Sequence, residues 1–448
     1  MKLFGTDGVR GVANKELTPS LAYKLGKAGA SVLAQSRKQA RILVGKDTRI
    51  SGDMLESALI AGICSAGVDV VKLGIIPTPA VAYLVRKYEA DAGVVISASH
   101  NPVEYNGIKF LNNEGFKLSD EEEEAIESII LENRVEAIDS PTGIDIGRVE
   151  IADNASEDYI SYVQGIYDVD FKGMKVALDC AEGANYICAP ELFRRKGAEV
   201  FVIHNNPDGT NINKNCGSTH LDKIKEFTLE NGCDVGFAYD GDADRCLVID
   251  NEGNEIDGDF IMTILANHMK EKGELEKDTL VVTVMSNMGL FMVCEEKGIK
   301  LEQTKVGDRY VLENMLENGY KIGGEQSGHI ILLDYNSTGD GLVTSVSLAK
   351  VMRETGKKLS EIKDIMKKLP QVLVNVEVRN DKKNIFNEDP EIVEKIDSVE
   401  ESLEGKGRVL IRPSGTEPLI RVMLEGEDYE YIEETANEIA DLIEEKAK

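Results

Sequence analysis

Short apolar runs alternate with amphipathic segments along most of the chain. One pattern occurs three times in succession. Each time, an apolar run and a helical segment are followed by a second run and a second helical segment, and then by a third run that ends in a polar loop. The runs lie at residues 41–45, 69–74 and 92–97, then at 175–179, 199–203 and 234–239, and finally at 279–285, 300–306 and 320–329. Such alternation is typical of βαβ units, whose ligands gather at the carboxyl ends of the strands. We therefore expect three similar α/β domains with mixed sheets, each with a candidate ligand loop after its third run.

The hydrophobic pattern changes after residue 369. A strand with alternating apolar residues is predicted from Val372, Val374, Val376 and Val378. Two closely spaced strands follow at residues 408–411 and 419–424, and a last helix carries an apolar stripe at Ile432, Ala436, Ile439 and Ile443. These elements predict a smaller α+β domain. We place the four domains at residues 1–150, 151–252, 253–368 and 369–448, and we interpret the acidic segments 121–124 and 391–404 as solvated helix faces.

The amino-acid composition favours a soluble protein with reduced cysteines. Hydrophobic residues make up 42% and charged residues 29% of the 448 residues, as in ordinary soluble proteins. The N-terminus has no apolar stretch of signal-peptide length and no run reaches the ~18 apolar residues of a membrane span, which favours a cytoplasmic location. The seven cysteines are odd in number and lack C-x-x-C spacing, so we expect reduced, mostly buried thiols.

The charge balance argues against polyanionic partners. With 51 basic and 80 acidic residues, the formal net charge is −29, which repels nucleic acid and anionic membranes. The same field repels a phosphorylated metabolite. A phosphate site in this chain would therefore have to be built locally, from clustered arginines and backbone N–H groups.

The most specific local pattern is DGDADR at residues 240–245. Its carboxylates at Asp240, Asp242 and Asp244 converge on one side of an extended loop, and all-oxygen ligands suit Mg²⁺ or Ca²⁺. An EF-hand loop begins in the same way, but it requires Gly and Glu where this chain has Arg245 and Asn251. The pattern favours a hard-cation site that is not a calcium sensor, with a structural acidic turn as the alternative.

Three further loops carry polar groups. Residues 97–102 (SASHNP) hold Ser99 and His100, but adjacent side chains rarely meet as nucleophile and base, and no G-x-S-x-G elbow is present, which argues against a serine hydrolase. Residues 323–329 (GGEQSGH) offer a carboxylate and a hydroxyl suited to sugar hydroxyls. Residues 412–418 (RPSGTEP) offer a guanidinium, two hydroxyls and backbone N–H groups suited to a phosphate. Taken singly, each loop is also compatible with an ordinary turn.

In content, order and spacing, the four loops together resemble the α-D-phosphohexomutase superfamily over essentially the whole chain. In that superfamily, four domains around a central cleft each donate one loop, in the order phosphoserine, metal, sugar and phosphate. GTDGVRG (5–11) and YNGIKF (105–110) are also similar to superfamily segments. Within it, MSNMGL (285–290), KVGDRYVLE (305–313) and STGDG (337–341) most resemble the phosphoglucosamine mutases. Ala243 stands where most members have Gly, a change that removes no ligand.

The resemblance implies a reaction. The implied enzyme is an isomerase that interconverts glucosamine 6-phosphate and glucosamine 1-phosphate through a phosphorylated Ser99 and a hexosamine 1,6-bisphosphate, which is also the expected activator. One Mg²⁺ per chain is implied at Ser99, Asp240, Asp242 and Asp244. The other catalytic residues implied are Arg10, His100, Lys109 and Arg245, with Lys109 as general acid/base or only as a counter-charge. The substrate-binding residues implied are Glu325, Ser327, Arg412, Ser414, Gly415, Thr416 and Arg421.

Other functions stay open at the level of sequence. A phosphomannomutase or phosphoglucomutase would differ in its contacts at the second carbon of the sugar, which the sequence does not show. A phosphosugar-binding paralogue without activity would predict a damaged serine or metal loop, and both loops are intact. A magnesium-dependent phosphatase would release free phosphate. Whether the chain forms a homodimer is also left open.

Overall fold

The computed structural model describes residues 3–5, 7–34, 40–403, 405–414 and 418–447. The chain forms two compact units. The first consists of Met1–Met285 and Gly298–Asp364, and the second of Ser286–Lys297 and Ile365–Lys448. The first unit contains three sheets and the second contains one.

The first sheet is mixed, as the alternating pattern predicts. Its strands are β1 Val9–Val12, β2 Arg41–Lys46, β3 Asp69–Ile75, β4 Ala92–Ile96, β5 Tyr105–Asn112 and β6 Val149–Ile151, in the order β1-β5-β4-β2-β3-β6. Its helices are α1 Pro19–Leu33, α2 Ser51–Ser65, α3 Thr78–Lys87 and α4 Asp120–Leu131. Strands β2, β3, β4 and β6 are parallel, whereas β5 and β1 join antiparallel. Strand β4 is buried along its whole length, so the polar loop that follows it leaves from the centre of the sheet.

The second sheet repeats this plan. Its strands are β7 Lys175–Asp179, β8 Glu199–Ile203, β9 Val235–Tyr239, β10 Cys246–Asp250 and β11 Glu255–Ile256, in the order β11-β10-β9-β7-β8. Its helices are α5 Ala155–Ile166, α6 Cys188–Arg195 and α7 Asp222–Glu230. Strand β10 pairs antiparallel with β9. The acidic loop 240–245 is therefore the connection between a buried central strand and its antiparallel neighbour.

The third sheet completes the first unit. Its strands are β12 Thr279–Thr283, β13 Lys300–Thr304, β14 Ile322–Gly324 and β15 Ile330–Leu332, in the order β13-β12-β14-β15. The helices in this part of the chain are α8 Gly258–Lys272, α9 Met288–Lys297, α10 Asp308–Asn318, α11 Gly341–Thr355 and α12 Leu359–Ile362, of which α9 belongs to the second unit. The GGEQSGH loop connects β14 to its antiparallel partner β15.

The second unit has the predicted α+β fold. Its strands are β16 Gln371–Glu377, β17 Gly407–Pro413 and β18 Leu419–Gly426, all antiparallel in the order β16-β18-β17, and its other helices are α13 Ile385–Glu388, α14 Pro390–Ser402 and α15 Tyr429–Ala447. The predicted stripe of α15 is buried at Ile432, Ala436, Ile439 and Ile443 and packs in one apolar cluster with Val422 of β18. Burial of this stripe is the main source of stability for a helix of this kind.

One predicted surface is wrong. The acidic segment 121–124 lies on α4, but Glu123 is only 4% exposed and pairs with Lys117 at 3.6 Å, so it faces inward while Glu121 and Glu124 are exposed. The cysteine prediction is confirmed, since all seven carry free thiols and six are buried. In the described ranges, no helix combines the length and the apolar composition needed to cross a membrane. The four domain boundaries stay a prediction.

Candidate active site

Ser99 lies on the loop that leaves β4, in an unusual backbone conformation. Its φ angle is +50°, in the left-handed region that residues other than glycine seldom occupy. The residue is buried, and its N–H donates to Ser97 Oγ at 3.0 Å. Strained residues of this kind persist only where the surrounding structure holds them, and they occur often at functional sites.

Two side chains hold the carbonyl oxygen of Ser99, and sequence reasoning missed both. Arg49 Nη2 donates to this oxygen at 2.9 Å and Asn213 Nδ2 donates to it at 2.8 Å. The same two groups reach the carbonyl of Asn101 at 2.8 and 3.1 Å. Arg49 is buried with its counter-ion Asp47, whose carboxylate lies 2.8 Å from Arg49 Nε. The serine loop is thus held by Arg49, which follows β2 of the first sheet, and by Asn213, which lies in the region of the second sheet.

The three predicted metal ligands meet beside the Ser99 hydroxyl. Ser99 Oγ donates to Asp240 Oδ2 at 2.7 Å, and one carboxylate oxygen from each of the three aspartates lies within 4.8 Å of the others. Among the described residues, Asp242 Oδ1 and Asp244 Oδ1 are buried without a hydrogen-bond partner. Burial, together with the charges of Asp244 and Asp242, raises the pKa of Asp240 well above its usual range. Crowded carboxylates with unsatisfied oxygens fit a hard cation, so the residues present are suited to Mg²⁺.

Cationic and hydroxyl groups orient these carboxylates. Lys109 Nζ lies 3.0 Å from Asp242 Oδ2 and 3.7 Å from Asp244 Oδ2, and Thr78 Oγ1 donates to Asp242 Oδ2 at 2.7 Å. Burial disfavours the charged form of Lys109, but Asp242 and Asp244 outweigh it and raise its pKa. Lys109 is therefore protonated near neutral pH, which suits a counter-charge or a proton donor better than a resting base.

His100 lies beside the serine hydroxyl, and Arg245 lies beside His100. Ser99 Oγ and His100 Nδ1 are 3.2 Å apart, so the adjacent side chains come into contact, which was not expected. The left-handed backbone at Ser99 explains this, because it breaks the alternation of side chains along an extended chain. Arg245 Nη1 lies 2.9 Å from the same His100 nitrogen. That nitrogen accepts a guanidinium N–H, and its lone pair is not available to deprotonate Ser99.

A cavity of about 420 Å³ joins these groups to the predicted sugar loop. Its walls include Arg10, Ser99, Arg245, Glu325 and Ser327. Glu325 Oε1 accepts the Gly307 N–H at 3.0 Å, and burial raises the pKa of Glu325. The first unit therefore brings Ser99, Asp244 of the metal loop, and Glu325 and Ser327 of the sugar loop to one cavity.

His329 lies at the end of the sugar loop, but its side chain is close to Asp244 of the metal loop. Its Nδ1 lies 3.6 Å from Asp244 Oδ2, and its Nε2 accepts the Gly339 N–H at 3.2 Å. Acceptance at Nε2 places the ring proton on Nδ1, toward Asp244. His329 is thus a packed, hydrogen-bonded histidine that orients a carboxylate.

The predicted phosphate loop lies in the second unit, where β17 and β18 bring two arginines together. Arg412 and Arg421 are directly opposite in the strand pairing, and burial followed by the charge of Arg421 lowers the pKa of Arg412. Lys383 Nζ, which sequence reasoning missed, donates to the Ser414 carbonyl at 2.9 Å. Two guanidinium groups on facing strand positions have the charge and the N–H donors that suit a phosphate. The predicted residues Gly415 and Thr416 lie outside the described residues.

A second group with metal-ligand chemistry, Asp179, His204 and Cys216, is explained by hydrogen bonding. The Asp179 carboxylate accepts the N–H groups of Ala181 at 2.9 Å and Gly217 at 3.0 Å, and it lies 3.0 Å from His204 Nδ1. The Asp179 carboxylate therefore links the chain segments that contain Ala181, His204 and Gly217.

Four family models match the chain in order. They are the phosphoglucomutase/phosphomannomutase alpha/beta/alpha domains I, II and III, at residues 1–136, 157–253 and 257–369, and the C-terminal domain of the same family at 373–442. Their order along the chain is that of the three α/β stretches and the smaller α+β region.

Individual proteins are also similar to this chain over its whole length. A phosphoglucosamine mutase of Clostridium novyi (strain NT) is 60% identical over 446 residues, covering 100% of this chain and 99% of that protein. The crystal structure of a phosphoglucomutase/phosphomannomutase family protein from Burkholderia thailandensis has a TM-score of 0.81 at 24% identity, over 100% of this chain and 98% of that one. An Aspergillus fumigatus N-acetylphosphoglucosamine mutase, solved with GlcNAc-6P and magnesium, has a TM-score of 0.70 at 18% identity, over 100% and 96%. The structural likenesses show the fold, and the sequence matches show that the chain belongs to the phosphoglucomutase/phosphomannomutase family.

Proposed function

We propose that the chain is a phosphosugar mutase that interconverts glucosamine 6-phosphate and glucosamine 1-phosphate through phosphorylated Ser99 and a 1,6-bisphosphate. One observation carries the proposal: the Ser99 hydroxyl, on a strained backbone, donates at 2.7 Å to a cluster of three buried carboxylates. The assignment to glucosamine rests on the phosphoglucosamine mutase that is 60% identical over the whole chain.

In this mechanism, the phosphoryl group moves from Ser99 to the free hydroxyl of the sugar phosphate. The bond from phosphorus to Ser99 Oγ breaks as the bond to the sugar oxygen forms. Bound Mg²⁺, held by Asp240, Asp242, Asp244 and the Ser99 phosphate, would offset negative charge on the transferring group. The positive charge of Arg245 would stabilise the phosphoserine, and His100, which lies between Arg245 and the serine hydroxyl, would hold the guanidinium in place.

Proton transfer is assigned to Lys109. Its pairing with Asp242 and Asp244 keeps it protonated, which favours a donor role toward the departing serine oxygen. The proton that the sugar hydroxyl loses on accepting the phosphoryl group would pass to Lys109, so the ammonium group is restored. In the return transfer, Lys109 would give a proton to the departing sugar oxygen and take up the one that Ser99 Oγ loses. Its role as a fixed counter-charge only is the alternative, and a Lys109→Arg variant separates the two because arginine keeps the charge but cannot give up its proton.

Substrate recognition is divided between the two units. In the first unit, we assign the sugar hydroxyls to Glu325 and Ser327, with Arg10 beside the phosphoserine. In the second, the phosphate that does not react is assigned to Arg412, Ser414, Gly415, Thr416 and Arg421. The bisphosphate must then turn end over end and return its other phosphate to Ser99, and free hexosamine 1,6-bisphosphate would recharge a dephosphorylated enzyme. We place this reaction in the cytoplasm, where the seven cysteines would stay reduced.

A substrate panel tests the proposal. Purified protein is given glucosamine, glucose or mannose 6-phosphate, each with Mg²⁺ and a trace of hexose 1,6-bisphosphate. We expect the highest kcat/KM for glucosamine 6-phosphate, by a margin of ~1 to 3 kcal/mol because one substituent differs. A clear preference for mannose or glucose 6-phosphate would favour a phosphomannomutase or phosphoglucomutase. Accumulation of free phosphate would favour a phosphatase.

A further inference from the structure

Residues 336–341, which contain the STGDG motif, have no part in the proposed mechanism, yet they are held by many hydrogen bonds. Asp340 is 2% exposed, and its carboxylate accepts the Tyr159 hydroxyl at 2.8 and 2.9 Å. The same carboxylate caps α11 by accepting the N–H groups of Leu342 and Val343, both at 3.0 Å. A buried carboxylate with this many donors is a fixed point in the first unit.

The Asn336 side chain joins this fixed point to the beginning of α3. Its Nδ2 donates to the Pro79 carbonyl at 3.0 Å and to Asp340 Oδ2 at 2.9 Å, and its Oδ1 accepts from Arg86 Nη2 at 2.9 Å. The amide group has two hydrogens, and both are used in these links. Asn336 therefore acts as a bridge between Pro79 and Asp340.

Both ends of this bridge continue to the backbone of the metal loop. At one end, the N–H of Thr78, the neighbour of Pro79, donates to the Asp242 carbonyl at 3.0 Å. At the other end, the Gly341 N–H donates to the Ala243 carbonyl at 3.0 Å. Hydrogen bonds and peptide bonds thus form a closed ring, which passes through Asp242, Ala243, Gly341, Asp340, Asn336, Pro79 and Thr78.

The two glycines of the motif let the segment approach the metal loop closely. A Cβ at Gly341 would lie 2.6 Å from the Arg245 carbonyl oxygen and 3.0 Å from that of Ala243. A Cβ at Gly339 would lie 2.5 Å from the ring of His329. Ala243 has a left-handed φ, and a strained residue of this kind persists only where its surroundings hold it. The ring supplies such a contact at the Ala243 carbonyl.

We propose that Asn336 and Asp340 are positioning residues, which keep the metal loop in the arrangement that Mg²⁺ requires although neither is one of the proposed ligands. The inference rests on the proposed function, because it takes the loop 240–244 as the magnesium site. Mg²⁺ demands near-ideal octahedral geometry with short bonds, whereas Ca²⁺ accepts longer bonds in flexible arrangements. A ring that restricts the loop therefore favours Mg²⁺ over Ca²⁺, and opening the ring lowers the affinity for Mg²⁺ most.

Asp340→Asn opens the ring at one point. Its remaining carbonyl oxygen can still cap α11, but its amide hydrogens then face the Asn336 amide, so the link between the two side chains is lost. Calorimetric titration of the full chain with Mg²⁺ or Ca²⁺, at matched phosphate content of Ser99, measures the effect. We expect roughly 10- to 100-fold weaker binding of Mg²⁺ and a loss of ~3-fold or less for Ca²⁺. Gly341→Ala, which pushes on the Ala243 carbonyl at the other end of the bridge, should change the ratio in the same direction.

Tyr159→Phe is the matched control. It removes a buried hydroxyl that is bonded to Asp340 but lies outside the ring, so it should lower the unfolding temperature and keep the ratio of the two affinities. Unchanged Mg²⁺ affinity in Asp340→Asn and Gly341→Ala, or a loss for Ca²⁺ as large as that for Mg²⁺, would overturn the inference. An equal change of the ratio in Tyr159→Phe would also overturn it, because Asp340 would then act through stability alone. A wild type that binds neither cation would refute the proposed function as well.

Discussion

The loop of Ser99 is held by partners of opposite or complementary polarity, whereas the loop of Arg412 begins beside a residue of its own charge. Around Ser99, Arg49 and Asn213 bind the carbonyl and Asp240 accepts the hydroxyl, all within 2.9 Å. In the second unit, Arg412 stands opposite Arg421 across two antiparallel strands. The first loop has hydrogen-bond partners within the chain for both its carbonyl and its hydroxyl, whereas the second begins with two cations on facing strand positions.

The difference matches two tasks. A group that transfers phosphoryl must keep its geometry through the reaction, and rigid hydrogen bonding supplies that without reorganisation. A group that grips the second phosphate must release it when the bisphosphate turns round. Neighbouring arginines bind an anion through charge-assisted hydrogen bonds that can be broken again, which suits a site that must release its phosphate.

The largest expected effect is that of Ser99→Ala. This variant removes the phosphoryl carrier and should lower kcat by at least about 10⁴-fold. Intact-protein and peptide mass spectrometry should find phosphate on Ser99 in the wild type and none in the variant. Ser327→Ala, on the wall of the same cavity, is the control and should keep the phosphoserine. Full activity in Ser99→Ala would refute a covalent mechanism.

The contrast between the two loops also predicts opposite changes in stability. Arg49→Met leaves the buried Asp47 without its counter-ion and should lower the free energy of unfolding by about 3 to 5 kcal/mol. Arg412→Met removes one of two opposed charges and should leave that free energy unchanged or raise it by up to ~1 kcal/mol. Urea denaturation of both variants without substrate compares them directly. Equal destabilisation by Arg49→Met and Arg412→Met would contradict the difference described between the two loops.

Asp242→Asn tests the metal loop. The substitution keeps the shape of the side chain but removes a charge, so kcat should fall by about 100- to 1000-fold with a smaller change in KM. Exhaustive chelation of the wild type should have a comparable effect that added Mg²⁺ reverses. Activity that survives chelation would exclude a metal role for this loop.

Arg412→Ala tests the proposed phosphate site of the second unit. It should lower kcat/KM by an amount equivalent to about 2 to 4 kcal/mol, the usual loss for one partner of a partly desolvated charged pair. Mg²⁺ binding and the phosphate content of Ser99 should stay as in wild type, because both belong to the other unit. Lys383→Ala, which removes a cation near the same loop, should have a smaller effect. Normal turnover in Arg412→Ala, or loss of Ser99 phosphorylation, would contradict the assignment.

The smallest expected effect is at Ala243. This residue has a φ of +58° between two of the proposed metal ligands, where alanine is strained and glycine is not. Ala243→Gly should therefore raise the free energy of unfolding by about 0.5 to 1 kcal/mol with activity kept. Differential scanning calorimetry and steady-state kinetics measure both, and a clear loss of stability would show that the strain is absent.

The sequence predicted the parts of this site that are local in the chain. Strands β7 and β8 begin and end where the apolar runs do, and the Asp240 loop carries its ligands within five residues. Arg49 and Asn213 could not be found in this way, because they contact Ser99 across 50 and 114 residues and stand in polar segments without a motif. The contact between Ser99 and His100 was missed for a different reason, since it depends on a left-handed φ angle that no residue type there requires.

A single turnover with labelled enzyme measures directly whether Ser99 carries the phosphoryl group during catalysis. Protein that carries ³²P on Ser99 is mixed with excess unlabelled glucosamine 6-phosphate and Mg²⁺, and the reaction is quenched at intervals. If Ser99 carries the phosphoryl group, label should leave it at least as fast as steady-state turnover and pass into the bisphosphate and then into the sugar monophosphates. Label that stays on the protein during turnover, or leaves it as inorganic phosphate, would exclude transfer to the sugar through Ser99.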